Sequence, residues 1–330
     1  MDLFDPDTPP DPLGEALHHL RMSGAFYCRS ELTAPWGITL PSLPEYVWFH
    51  VVTSGSFELE ADGEESVTLH PGDLALVTHG AGHVLRSDQE AEAPGILELD
   101  REEISARYEI LRHGGGGAQT LLICGAVRFD EPAARNFIAA LPDLIRIEAL
   151  RAPGMERMQG TLGLIAAETM HPRPGGEAVI TRLSDVLVIQ AMRAWMEADP
   201  GARTGWLGAL RDPEIGRALA LIHRDPAHPW TVASLAREVA MSRSAFAARF
   251  TSLVGEPAMQ YLTRYRMQVA VNALRDDGAT VAELASRLGY RSQAAFARAF
   301  KREVGVAPGA VKPRPRDPIE AQFEQASQGG

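Results

Sequence analysis

Residues 231–250 read Thr231-Val-Ala-Ser-Leu-Ala-Arg-Glu-Val-Ala-Met-Ser-Arg-Ser-Ala-Phe-Ala-Ala-Arg-Phe250. Residues 280–300 repeat the plan as Thr280-Val-Ala-Glu-Leu-Ala-Ser-Arg-Leu-Gly-Tyr-Arg-Ser-Gln-Ala-Ala-Phe-Ala-Arg-Ala-Phe300. Each copy opens on a threonine whose hydroxyl can satisfy an orphan helix N–H. A short helix follows, with Val232, Leu235, Ala236 and Val239 on one face, matched by Val281, Leu284, Ala285 and Leu288. The chain then breaks at Ala240-Met241 or Gly289-Tyr290. A second cap, Ser242 or Ser292, starts a helix that buries Phe246 and Phe250, or Phe296 and Phe300. Helix, tight turn, helix is the plan whose second helix enters the DNA major groove.

One amphipathic helix pair is a weak signal, because any helical bundle contains one; two copies with matching caps and phenylalanine pairs are far more specific. Between them, Pro257–Asp276 carries Tyr261, Leu262, Tyr265, Met267 and Ala270 at helical period and predicts a long connecting helix. The residues that carry a family likeness are the Leu-Ala…Met241-Ser242 turn, Gly255-x-Pro257, Tyr261-Leu262…Arg266, and Gly289-Tyr290-x-Ser292…Phe296-x-Arg298-x-Phe300-Lys301…Gly305-x-x-Pro308. In order and spacing they resemble the AraC/XylS family of bacterial transcription regulators, over residues 213–312. The resemblance implies an all-α domain with two helix-turn-helix motifs and double-stranded DNA as its partner. Its two recognition helices are expected in successive major grooves about one helical turn apart. Arg243 and Ser244 would face bases from the first helix. Ala248 falls where family members often place a long polar side chain, and Arg249 shares that surface. Ser292, Gln293 and Arg298 would serve on the second helix, with Gln293 and Arg298 as readers and Lys301 and Arg302 nearer phosphates.

The charge distribution agrees. Residues 213–316 hold 16 Lys and Arg against 8 Asp and Glu, whereas the remainder holds 16 against 35. A basic segment on an acidic chain is the footprint of a phosphate-binding module joined to something else. The overall sequence pI of 5.4 alone points away from nucleic acid.

A length of 330 residues suggests two domains. Residues 1–14 form an acidic, Pro-rich leader without the basic start and apolar core of a signal peptide, and no apolar run is long enough to span a bilayer. The two cysteines fit a reducing cytosol, so a cytoplasmic protein is expected. Residues 15–22 read as a short helix. From there to residue 129 the character changes to short strands, such as Trp48–Thr53, Ser56–Glu60, Ser66–His70, Asp73–Thr78 and Thr120–Gly125, punctuated by Ser54-Gly55, Asp62-Gly63, Pro71-Gly72-Asp73 and Gly80. Many short strands predict a sandwich or barrel.

The order Gly55…Pro71-Gly-Asp73…Gly80-x-x-His83 resembles the cupin barrel, and specifically the cupin half of AraC-type regulators. Two departures stand out. The family's His-x-His pair is reduced to His50, and Thr78 stands where proline is usual, so the full metal triad of an enzymatic cupin is absent. What remains is Cys28, His50, His83 and Cys124, a soft-to-borderline donor set suited to tetrahedral zinc, one ion per barrel. His50 would sit on an inward strand, His83 after the second motif's turn and Cys124 on a late strand. Cys28 would lie on the segment entering the barrel, the least anchored of the four. Two other readings stay open: a Cys28–Cys124 redox pair without metal, and cysteines that merely pack as small hydrophobes.

Residues 131–212 turn helical. Glu131–Ile145, Gly154–Met170 and Ala178–Met196 each carry apolar residues at helical spacing, and Pro172–Gly176 makes the last two an antiparallel hairpin. Ala178–Met196 is apolar over more than one face and needs cover, either from packing against the barrel or from a homodimer contact including Leu187, as the resemblance to dimeric regulators implies. The sensor domain is thus placed at 15–200, a linker at 201–212, the DNA-binding domain at 213–312 and a flexible tail at 313–330. The fold class is α+β and multidomain. Two function classes fit: a transcription factor whose cupin senses a metal, thiol oxidant or small molecule, with RNA polymerase as partner if it activates; or a metal-dependent cupin enzyme with an appended helical assembly domain. The enzyme needs an open, His-rich metal site, and it leaves the basic doubled motif unexplained.

Overall fold

The computed structural model describes residues 22–61, 65–105, 108–129, 138–148, 155–170, 173–203, 205–276 and 279–311. The leader, the tail expected at 313–330 and all of the helix expected at 15–22 except Met22, which opens a strand, lie outside these residues. The chain divides into two compact units, one built on residues 22–129 and 141–199 and the other on 200–315.

The first unit is sheet-rich. Its strands are β1 (Met22–Thr33), β2 (Gly37–Leu40), β3 (Tyr46–Ser54), β4 (Phe57–Ala61), β5 (Val67–Leu69), β6 (Leu74–Val77), β7 (His83–Arg86), β8 (Arg101–Ser105), β9 (Tyr108–Gly114), β10 (Gln119–Phe129) and β11 (Leu144–Ile147). They form a seven-stranded sheet in the order β11-β6-β3-β10-β1-β9-β8 and a four-stranded sheet in the order β2-β7-β4-β5. Phe26, Cys28, Trp48, Val52 and Leu122 of the large sheet share one core cluster with Ile38, Phe57, Leu59 and Leu85 of the small one. That shared core is the barrel interior. The strand β3 is buried along both faces through Val52, which is why it reads as a continuous apolar run. Gly80 turns with φ +65°, and a Cβ there would lie 1.6 Å from the Leu43 carbonyl oxygen, so the turn before β7 has room only for glycine.

Two sequence expectations change. Cys28 does not lie on a loose entering segment: β1 is an inner strand, antiparallel to β10 on one side and parallel to β9 on the other. The helix expected at Glu131–Ile145 ends instead in strand β11, which pairs antiparallel with β6. Ile145 and Ile147 are buried while Leu144 and Arg146 are less so, and this period of two overrides the helical spacing of the longer window. The part of that segment at 131–137 lies outside the described residues. Helices α1 (Met155–Met170) and α2 (Gly176–Ala198) form the expected hairpin, and Asp185 of α2 accepts a 2.6 Å hydrogen bond from the Tyr27 hydroxyl on β1.

The second unit is helical: α3 (Gly205–Arg211), α4 (Pro213–Arg224), α5 (Val232–Glu238), α6 (Arg243–Val254), α7 (Ala258–Asp276), α8 (Val281–Arg287) and α9 (Gln293–Val304). Helix α3 occupies much of the stretch read as a linker. The Asp212 carboxylate caps α4, accepting from the Glu214 and Ile215 amides at 3.2 and 2.9 Å, with proline at the first turn. Thr231 and Thr280 form capping boxes with Ser234 and Glu283. Leu235, Ala236, Phe246 and Phe250 are buried in the first motif, and Leu284, Ala285, Phe296 and Phe300 in the second.

Candidate nucleic-acid interface and barrel interior

The recognition helices α6 and α9 begin alike. Ser242 and Ser292 each accept from the backbone amide three residues on, at 3.2 Å, so the Ser292 hydroxyl serves the cap. Behind each cap the phenylalanine pair turns inward, leaving the opposite face to solvent. Arg243, Ser244 and Ala248 on α6, and Gln293, Arg298, Lys301 and Arg302 on α9, are exposed. Arg243, Arg298 and Lys301 have no ion-pair partner among the described residues. Arg302 donates to Glu303 at 3.0 Å.

Arg249 is exposed but engaged. Its Nε and Nη2 reach the Asp212 carboxylate at 2.9 and 2.6 Å, and Nη2 lies 3.4 Å from Glu214. Both acceptors belong to the first turn of α4, where carboxylates also complement the helix dipole. The geometry therefore ties α6 to α4 through Arg249. No signal local to the recognition helix could have shown this, because Asp212 is 37 residues away.

In the barrel, strand register lines up the expected residues. Cys28 on β1 faces Cys124 on β10, and Cys124 faces His50 on β3. Directly opposed residues share a face of the sheet, with Cβ atoms about 4.5–5.5 Å apart. His83 comes from the small sheet, and its Nε2 lies 2.7 Å from Nε2 of His50. All four are buried.

The protons can be assigned. A carbonyl only accepts, so His83 Nδ1–H donates to the Ala81 oxygen at 3.0 Å, and His83 Nε2 carries a lone pair. The 2.7 Å contact then requires His50 Nε2–H to donate. This leaves His50 Nδ1 as a buried atom without a hydrogen-bond partner. Burial pulls His83 down to about 4 despite the opposing Ala81 carbonyl. Burial, then the neighbouring His83, holds His50 well below the usual imidazole range. Burial also pushes the Cys28 thiol up to about 12, and burial, with the neighbouring Cys28, raises Cys124 well above the usual thiol range. Every group in the set is neutral near pH 7, and both thiols are unreactive as they stand.

The same row holds a carboxyl that the sequence reading passed over. Glu109 on β9 faces Cys28 across the parallel pair and is buried, with the Arg101 guanidinium 3.3 Å away. Burial pushes it up to about 7 against the pull of Arg101. Its signal was available: a glutamate inside the apolar run Tyr108-Glu-Ile-Leu111. His79, four residues before His83, donates to the Leu141 carbonyl at 3.0 Å instead. Among the described residues no group of three or more His, Cys, Asp and Glu side chains is gathered so as to hold a metal ion.

A barrel with a polar row in its core, and a doubled helix-turn-helix with cations exposed on its recognition helices, define a sensor joined to a DNA reader. Comparison with known proteins agrees. Residues 11–197 match the cupin family and residues 235–314 the helix-turn-helix domain family. A putative AraC-like transcription regulator of Streptomyces lividans is 35% identical over 93% of this chain and 100% of its own. The HTH-type transcriptional regulator AlkR of Acinetobacter baylyi is 29% identical over 88% and 94%. The solved DNA-binding domain of AdpA, in complex with a target DNA, is 29% identical, covers 34% of this chain and 96% of its own, and has a TM-score of 0.28. The chain belongs to the AraC-like transcription regulators, with a cupin sensing domain and a helix-turn-helix DNA-binding domain.

Proposed function

We propose that the signal is read inside the barrel by Cys28, Cys124, His50 and His83, and that zinc is the occupant. The observation behind this is the register that sets Cys28, Cys124 and His50 in one row, with His83 reaching the row from the other sheet. Thiolate and imidazole are donors that zinc takes, and a histidine ligand commonly fixes its tautomer by giving its other N–H to a carbonyl, as His83 does to Ala81. In the described positions the two imidazoles bond each other, so the fit lies in donor chemistry and register rather than in assembled coordination. When bound, the ion would supply the positive charge that keeps both thiols deprotonated.

The chain acts as a homodimer in the cytoplasm, and RNA polymerase is its partner if it activates. The dimer contact rests on the exposed apolar side chains Leu164 on α1 and Val179 and Val186 on α2, at 58, 42 and 43% exposure. Leu187, expected at that contact, is fully buried within its own unit. Base reading falls to Arg243, Ser244, Gln293 and Arg298, while Arg249 supports α6 from behind.

Metal content of full-length protein purified without chelators tests the sensor. The proposal expects one zinc per chain in the wild type and at least tenfold lower occupancy in His50→Ala, with an altered DNA-binding response to thiol oxidant. A Cys28–Cys124 disulfide mechanism predicts a response that ignores His50. Metal-free protein whose DNA binding ignores both cysteines would reject the proposal in favour of a small organic effector.

A further inference from the structure

Arg266 belongs to the family-like motif but not to either recognition helix. It lies on α7, the helix between the two motifs, and is half-buried. Its guanidinium spans two places. Nε donates to the Pro226 carbonyl at 2.5 Å, and Nη2 donates to the carbonyls of His228 at 2.9 Å and Ala227 at 3.4 Å. On the other side, its Cζ lies 5.8 Å from the centre of the Tyr290 ring, within cation–π range.

Both contacts fall at motif boundaries. The loop 225–230 leads directly to Thr231, the cap of the first motif. Its shape is fixed by Asp225, whose carboxylate accepts from the His228 amide at 3.1 Å and whose carbonyl accepts from the Trp230 indole at 3.0 Å. Tyr290 lies in the turn of the second motif, two residues before the Ser292 cap of α9. One side chain thus links the entry of the first motif to the turn of the second.

The backbone shows the same closeness independently. Gly289 turns with φ +74°, and a Cβ there would lie 2.3 Å from the Ala227 carbonyl oxygen. The equivalent turn in the first motif also has positive φ, +54°, yet it carries Ala240. Positive φ alone therefore does not demand glycine in this turn. The approach of the 225–230 loop does, and it accounts for the difference between the two copies.

We infer that Arg266 is a positioning residue for DNA reading: it fixes the separation of the two recognition helices so that both reach their grooves on one duplex. A reader of two successive grooves must hold that separation to within a fraction of a base-pair rise, because a shift of one base pair also rotates the second groove away. Arg266 meets three carbonyls and an aromatic face with a planar donor set. Lysine, a point charge on a flexible stem, lacks that shape.

This inference rests on the DNA-reading function, and its test separates the two. A two-part site is selected from random DNA with the full-length wild type. Binding is then measured to the whole site, to each half alone, and to the site with one base pair inserted between halves. Arg266→Ala is expected to bind the whole site at least tenfold more weakly, to bind each half as the wild type does, and to lose most of the wild-type penalty for the insertion. Arg266→Lys should not restore the penalty. Gly289→Ala, with Arg266 intact, should reproduce the phenotype by pushing the loop away. Equal loss on halves and whole site, or an unchanged insertion penalty in both variants, would overturn the inference. A wild type that selects no site would overturn it together with the DNA reading.

Discussion

At the scale of single residues, Arg298 and Arg249 both fall between the paired phenylalanines of their motifs, Arg298 two positions before Phe300 and Arg249 one before Phe250. Arg298 is exposed without an ion-pair partner, whereas Arg249 is held by Asp212. Arg298→Ala is expected to cost about 1–3 kcal/mol of DNA affinity and to relax preference at one base position. Lys301→Ala should weaken all sequences alike and reduce the salt dependence. Arg249→Ala should leave base preference intact; selection experiments on each variant would show a changed motif if Arg249 were a reader. The barrel histidines give a second test, in chelator-treated protein. A base whose pKa is lower when folded destabilises the fold as pH falls, because the unfolded chain takes up the proton first. For His83 that window runs from 6.5 down to about 4. Glu109 works the other way, since its folded-state value is raised from 4.5 to about 7, and its contribution is lost as pH rises through that range. Denaturant midpoints between pH 7 and 4 should therefore fall less steeply in His83→Gln than in the wild type. Parallel acid limbs would contradict the buried neutral imidazole.

At the scale of elements, the doubled motif was legible because its information is local. Caps, 3.6-residue spacing and paired phenylalanines all fall within a few turns; Thr231, Ser242, Thr280 and Ser292 each cap a helix as expected, and the connecting helix runs Ala258–Asp276 against the expected 257–276. Thr280→Ala should cost about 1 kcal/mol in denaturant unfolding, because the hydroxyl accepts from the Glu283 amide and no other side chain takes its place. The barrel was only partly legible. Residues such as Trp48–Thr53 announce strands by composition, but Met22–Thr33 mixes Gly, Arg, Ser and Glu and becomes a strand through its long-range pairings with β9 and β10. The candidate ligands were visible as residue types, while the Glu109 position depends on a parallel register between strands about 80 residues apart, which no local pattern encodes. On α2, amphipathicity identified the helix but not its outward side. Val186→Glu should yield monomers in sedimentation with normal unfolding, and Leu187→Glu should instead destabilise the chain, because it buries a charge without a partner. A Val186→Glu chain that stays dimeric would reject this face as the contact.

At the scale of the whole molecule, an acidic unit with a neutral, buried polar row is joined to a basic unit with free cations, and each follows a different logic. In the barrel, burial holds the thiols and imidazoles of the row uncharged near pH 7. The helical unit reads DNA through two motifs that are equal in plan but unequal in detail, one tied back through Arg249 and the other locked through Arg266. The central claim is that both motifs engage one duplex. A hydroxyl-radical and base-methylation footprint of the full-length protein on its selected site tests this most directly. The account predicts that each chain protects two successive major-groove segments about 10 base pairs apart, and that Arg298→Ala removes base protection from one of them only. A single protected groove per chain, or protection that is the same on unrelated DNA, would contradict it.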